Sequence, residues 1–310
     1  MYQKQTLESD TGATLALWTQ DAAEPVKGVV HVSHGLAEHA GRYARFADAL
    51  SKAGYAVYAE DHRGHGATTA PDAPAGMFAM EDGWNKVLAD KAFVNDYIRR
   101  QHPGLPVILF GHSLGGTLAF SYALRRAETI DGLAVWNSTT NTNALQSVLK
   151  VILSTERLFR GKKAPSVVDA LTFGQWSKAF KPPRTDFDWL SHDEAEVDKY
   201  VADPLCGWRI CNGLWGDISN GMADCADQTR LGQLSKDLPV NLIGGDQDPA
   251  TEGGKAVLDL DRRLKAFSFS DVTTAVLDNT RHETLNEVNR DQVTTDFIAW
   301  LDRVVSDKRS

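Results

Sequence analysis

The period of the apolar positions changes along the chain. Residues 3–8 and 14–19 read as two β-rich segments of an N-terminal hairpin. Residues 28–33 form a continuous apolar run, 43–53 repeat at helical spacing, and 56–60 are again continuous. A longer helical pattern over 84–101 ends at His102-Pro103-Gly104; a short apolar strand follows at 107–110, then a helix over 114–126 and a strand over 133–136. Short buried strands bounded by Gly and Pro and alternating with helices are the pattern of βαβ units in a parallel sheet. The fold class expected is α/β.

From about Ser138 to about Ser235 this rhythm is lost, and the segment carries Trp176, Trp189, Trp208 and Trp215 with Phe159, Phe173, Phe180 and Phe187. It resumes with strands at 240–243 and 273–277 and helices over 253–265 and 284–305. Resumption of the same alternation argues for one sheet domain, 1–138 plus 236–310, interrupted by an insertion over 139–235, rather than two domains in tandem.

The 310 residues include 33 Lys or Arg against 41 Asp or Glu, a net charge of −8. With no basic block, this balance opposes the counterion release that drives nucleic-acid binding, and adhesion to anionic membranes. Cys206, Cys211 and Cys225 are too few for a secreted disulfide framework and lack a CxxC pair, so they read as buried free thiols in a reducing compartment. The N-terminus has no basic and apolar leader pattern, and no run of about 18 apolar residues occurs, so a cytoplasmic protein is expected.

Gly111-His112-Ser113-Leu114-Gly115 places G-x-S-x-G between a strand and a helix, the context of a nucleophile elbow. Glycines two residues either side of Ser113 permit the tight turn, and the helix N-terminus directs positive potential at a nearby oxyanion. A serine needs a base, and the base needs an acid to hold its tautomer. In the order that accompanies such an elbow, both follow the serine. Two histidines do, His192 within the insertion and His282 after the last strand, and His282 is preferred because a loop following a strand lies at the elbow's edge of the sheet. Asp246 and Asp248 are the candidate acids; Asp248 lies deeper in its loop, leaving Asp246 to stabilise the turn. The Leu114 amide and, by position, the Leu36 amide in the His34-Gly35 turn would form an oxyanion hole. His31, His34, His39, His62 and His65 invite a metal reading, but they lack a helical i,i+4 pair and a carboxylate set, and loop-shaping hydrogen bonds explain them better.

Four segments, His34-Gly-Leu-Ala-Glu-His-Ala-Gly-Arg-Tyr43, Asp61-His-Arg-Gly-His-Gly66, Gly111-His-Ser-Leu-Gly-Gly116 and Arg281-His-Glu-Thr-Leu-Asn-Glu287, resemble the monoglyceride lipase and lysophospholipase branch of the α/β-hydrolase fold. The resemblance implies a mostly parallel sheet flanked by helices, Ser113, Asp248 and His282 as a triad, Leu36 and Leu114 as the oxyanion hole, and the insertion as a helical cap over an acyl site. It implies ester hydrolysis with neither a metal nor an organic cofactor. The partner implied is a small ester or single-chain lipid, with at most a transient membrane-surface contact through the cap. The alternative is a short-chain carboxylesterase of the same mechanism; a non-catalytic ligand-binding protein on this fold would be expected to lack part of the triad. The cap aromatics either shelter an acyl chain or form the cap's own core. Dehalogenases and epoxide hydrolases of the fold are excluded because they need Asp where Ser113 stands.

Overall fold

The computed structural model describes residues 1–142 and 144–309. Its sheet has eight strands: β1 (Gln3–Glu8), β2 (Thr14–Gln20), β3 (Gly28–Ser33), β4 (Tyr55–Glu60), β5 (Val107–His112), β6 (Gly132–Trp136), β7 (Val240–Gly245) and β8 (Val272–Leu277). They lie in the order β1-β2-β4-β3-β5-β6-β7-β8. The β1–β2 hairpin is antiparallel and joins β4 antiparallel, while every pairing from β4 to β8 is parallel. This is the α/β-hydrolase arrangement.

The continuous apolar strands follow from burial on both faces. On one face Val30, Val32, Ile108 and Phe110 pack against α1 (Ala44–Lys52) and α10 (Arg290–Arg309). On the other, Val29, Val107 and Leu109 face α2 (Gly83–Gln101) and α3 (Leu114–Arg126), with α9 (Lys255–Ala266) beside β7. The carboxyl ends of the parallel strands all open on one edge, where this architecture places its sites.

Between β6 and β7 the described residues form helices α4 (Ala144–Arg160), α5 (Val167–Ser177), α6 (Glu194–Ala202), α7 (Asn212–Cys225) and α8 (Gln228–Gln233). These are not all peripheral. Leu214, Ile218 and Cys225 of α7 and Leu231 of α8 belong to the apolar cluster built on α3, and Gly221 lies against the Trp84 indole.

Two helix starts differ from those expected. The last helix begins at Arg290 rather than 284: Thr284–Asn286 is a single 3₁₀ turn, and the buried Glu287 carboxylate accepts the Arg281 and His192 amides, holding a loop where the apolar period would continue a helix. The helix expected from 253 begins at Lys255, because Gly253 and Gly254 are left-handed, with φ of +67° and +80°. Among the described residues no helix is long and apolar enough to cross a membrane.

Two stability effects are expected. A methyl at Gly221 would overlap the Trp84 ring, so Gly221→Ala should cost about 1–3 kcal/mol in urea unfolding. Glu60 is wholly buried between Lys91 and His31; burial raises its pKa, but the Lys91 charge and the His31 contact outweigh this and bring it down to about 2. Since the folded value lies below the unfolded one of about 4.3, the stabilisation is complete above that pH and is lost as pH falls towards 2. Urea midpoints of wild type and Glu60→Gln across that window should show the wild type losing stability more steeply with acid.

Candidate active site

The strand β5 runs into Ser113, which takes φ +56° and ψ −123°, and α3 starts at the next residue. A non-glycine residue in such a conformation costs roughly 1–3 kcal/mol and persists only where its surroundings impose it. They do here: a Cβ on Gly111 would strike the Gly115 carbonyl, and one on Gly115 would strike the backbone of Ser33 and His34 at the end of β3. The Ser113 amide is tied to the Trp136 carbonyl at 2.9 Å.

Ser113 Oγ lies 2.9 Å from His282 Nε2, and His282 Nδ1 lies 2.9 Å from each oxygen of Asp248. Asp248 is fully buried and accepts further hydrogen bonds from Asn137 Nδ2, Thr251 Oγ1 and the Ala250 amide. Burial alone would raise its pKa, but the His282 charge and these donors outweigh it, and the carboxyl stays below its ordinary range. Asp246 is exposed and accepts the Thr280 amide at 3.1 Å, bracing the loop that leads to His282. His192 sits elsewhere, between the Glu287 carboxylate at 2.8 Å and Gln247 Oε1 at 3.2 Å. The Leu36 and Leu114 amides donate to no acceptor among the described residues, and both residues line the same cavity as Ser113. A hydroxyl, imidazole and carboxylate in line beside free amides can carry out acyl transfer.

Several residues at the site were not singled out from the sequence. Arg42 forks onto Glu283 with contacts of 2.6 and 2.8 Å, and also binds Glu38. Glu38 accepts from the Gly35 amide and from Tyr43 Oη. His112 donates to the His282 carbonyl at 3.0 Å with its other nitrogen towards Glu38. Burial disfavours the charged imidazole, but the Glu38 carboxylate outweighs it and raises the His112 pKa. Asn137 bridges Asp248 and Thr284. Glu38, Arg42, His112 and Glu283 all lie within the segments that carry the family resemblance, but nothing local pairs Arg42 with a residue 241 positions away.

The histidine-rich loops are held by hydrogen bonds. His34 and His62 stack at 3.9 Å; His34 Nε2 accepts the His62 amide, and Nδ1 donates to the Gly35 carbonyl. Burial lowers His34 to about 3 and His65 to about 4, so both are neutral at physiological pH. One group of possible metal ligands, His39, Asp203 and Cys206, converges to within 4.8 Å. There the Gly41 amide donates to His39 Nδ1, which leaves Nε2 carrying the hydrogen donated to Asp203, and burial pushes the Cys206 thiol up. His39 and Asp203 are thus bonded to each other, and Cys206 packs in the insertion's apolar cluster. The cysteines are all free and buried.

A cavity of about 350 Å³ opens on Ser113 and His282. Phe173, Trp176, Trp189 and Trp215 line it, together with Leu153 and Ile218; the first three also pack with Phe180 and Phe187 in the insertion's own apolar cluster. Trp208 packs on His65, and Phe159 is exposed. Cavity wall and insertion core are thus built in part from the same rings. Glu38, Glu283 and Tyr200 make the wall polar beside the reacting groups.

Residues 24–289 match a family model described as serine aminopeptidase, S33. The monoacylglycerol lipase of Mycolicibacterium smegmatis is 30% identical over 292 residues, covering 92% of this chain and 91% of its own. The mouse (Mus musculus) monoglyceride lipase is 28% identical over 280 residues, covering 85% of this chain and 81% of its own. A thermostable carboxyl esterase from Bacillus coagulans, solved in complex with glycerol, superposes with a TM-score of 0.88 at 26% identity over 98% of this chain and 99% of its own. From similarity that runs through the core and the insertion alike, the chain belongs to the serine aminopeptidase S33 family and is a serine ester hydrolase of the monoglyceride lipase branch of the α/β-hydrolase fold.

Proposed function

We propose that this hydrolase cleaves the esters of single-chain lipids, monoacylglycerols foremost, with Ser113 as nucleophile, His282 as base and Asp248 as the acid that orients it. Ser113 Oγ attacks the ester carbonyl as its proton passes to His282 Nε2, and Asp248 stabilises the imidazolium. The Leu36 and Leu114 amides hold the oxyanion. Its collapse expels the alcohol, which takes the proton from His282. Water then attacks the acyl-enzyme by the reverse proton path, releasing the fatty acid and free Ser113.

The observation that carries the lipid reading is the two-faced cavity at Ser113, apolar along Leu153, Trp176, Trp215 and Ile218 and polar at Glu38 and Glu283. Each methylene buried on the apolar side contributes about 0.8 kcal/mol. On the polar side the Glu38 and Glu283 carboxylates are bound by Arg42, with His112 beside Glu38. Neutral glycerol hydroxyls can donate to these carboxylates, whereas a phosphodiester has no hydrogen to donate to them. The relatives named monoacylglycerol lipase and the esterase solved with glycerol support the same alcohol. In this reading the insertion over 139–235 serves as the cap, since α4, α5 and α7 supply most of the apolar wall. The second reading is a short-chain carboxylesterase; the esterase of similar structure is named a carboxyl esterase, a term that specifies no chain length.

Ser113→Ala should lower kcat by about 10⁴–10⁶-fold and abolish fluorophosphonate labelling of the folded protein; unchanged hydrolysis would refute the mechanism. Across p-nitrophenyl esters and monoacylglycerols of increasing chain length, kcat/KM should rise well beyond C4. Monoacylglycerol should exceed lysophosphatidylcholine of the same chain by about tenfold or more. An optimum at C2–C4 selects the short-chain esterase instead, and a preference for the lysophospholipid overturns the glycerol assignment.

A further inference from the structure

The loop that carries the Leu36 amide is not self-supporting. Ala37, the next residue, is left-handed at φ +54° although it bears a side chain, a conformation that an alanine leaves unless it is held. Its carbonyl is the point at which it is held. Two groups of the insertion donate to that one oxygen, Tyr200 Oη at 2.9 Å and the Gly207 amide at 2.9 Å. Because Ala37 directly follows Leu36, fixing its carbonyl restricts the torsions that aim the Leu36 N–H.

Tyr200 is itself held. Its ring lies under the Arg42 guanidinium at 4.8 Å, and Arg42 is in turn forked onto Glu283, the neighbour of His282. Burial keeps the hydroxyl protonated far above physiological pH, so it remains a donor. Gly207 is left-handed at φ +66°, and a Cβ there would meet Phe187 at 2.9 Å and the Tyr200 ring at 3.2 Å, so donor and ring are fitted to one another. The same stretch of insertion also reaches the other side of the site: the Glu283 amide donates to the Leu190 carbonyl at 2.7 Å and the His282 amide to that of Trp189 at 3.4 Å.

We propose that Tyr200 and the Gly207 amide are positioning groups for the oxyanion hole, so that this part of the insertion acts as a clamp on the catalytic machinery as well as a cover for the substrate. The inference rests on Leu36 and Leu114 as oxyanion donors and Ser113 as nucleophile. It assigns Tyr200 an effect on the transition state that ground-state binding does not share.

The test is Tyr200→Phe, which keeps the ring under Arg42 and removes one donor to Ala37. With active sites counted by fluorophosphonate titration, kcat on p-nitrophenyl butyrate should fall about 5–50-fold, less than for loss of an oxyanion donor itself, with KM within about twofold. Binding of a trifluoromethyl ketone, whose adduct places an oxyanion in the hole, should weaken by a similar factor. Gly207→Ala, which presses on the same ring from the other side, should show the same split between kcat and KM and stands in should Tyr200→Phe not fold. Unchanged kcat and ketone affinity in a folded variant, or a loss confined to KM, overturns the clamp while leaving the triad intact. A wild-type chain that takes no fluorophosphonate label overturns the nucleophile and the clamp together.

Discussion

At Gly115 the start of α3 approaches the end of β3 so closely that any side chain there would collide with backbone. The rest of the site depends on that approach. It brings the Leu36 loop after β3 next to the elbow after β5, and it requires the reversal at Ser113 to take a conformation that serine avoids in open chain. The strain is stored in one residue and borne by a sheet whose central strands, β3 and β5, are buried on both faces. A less rigid support would let the turn relax and withdraw the hydroxyl from His282.

Around this fixed point the charges are buried but paired. Arg42 between Glu38 and Glu283, and Lys91 with His31 on Glu60, satisfy carboxylates that would otherwise be costly to bury. The two groups have different consequences. The Glu60 cluster lies within the sheet core and is expected to couple stability to pH, whereas the Arg42 group spans the two loops that flank Ser113 and gives the cavity its polar end.

The insertion has at least two physical regimes. Leu214, Ile218 and Cys225 of α7 are packed into the cluster of α3 and are inseparable from the sheet domain in the folded state. Much of α4 turns apolar residues such as Val151, Leu158 and Phe159 to the surface. Between them, residues 188–207 are bonded to both flanking loops of the site.

The sequence by itself determined the strands and helices of the sheet domain, the elbow, and Ser113, Asp248 and His282 as candidates. Each of these depends on interactions between near neighbours: the period of buried positions, the space that Gly111 and Gly115 leave, the turn chemistry after a strand. Tertiary structure decided what distance along the chain conceals. The start of the last helix was set by the buried Glu287, not by the apolar period. Which aromatics reach the cavity depends on how α5 and α7 lie over Ser113. The pairing of Arg42 with Glu283 and the seating of Tyr200 and Gly207 on Ala37 join residues more than 160 positions apart. Such contacts arise from loops packed side by side at one edge of the sheet, an arrangement for which no local pattern of side chains is a sign.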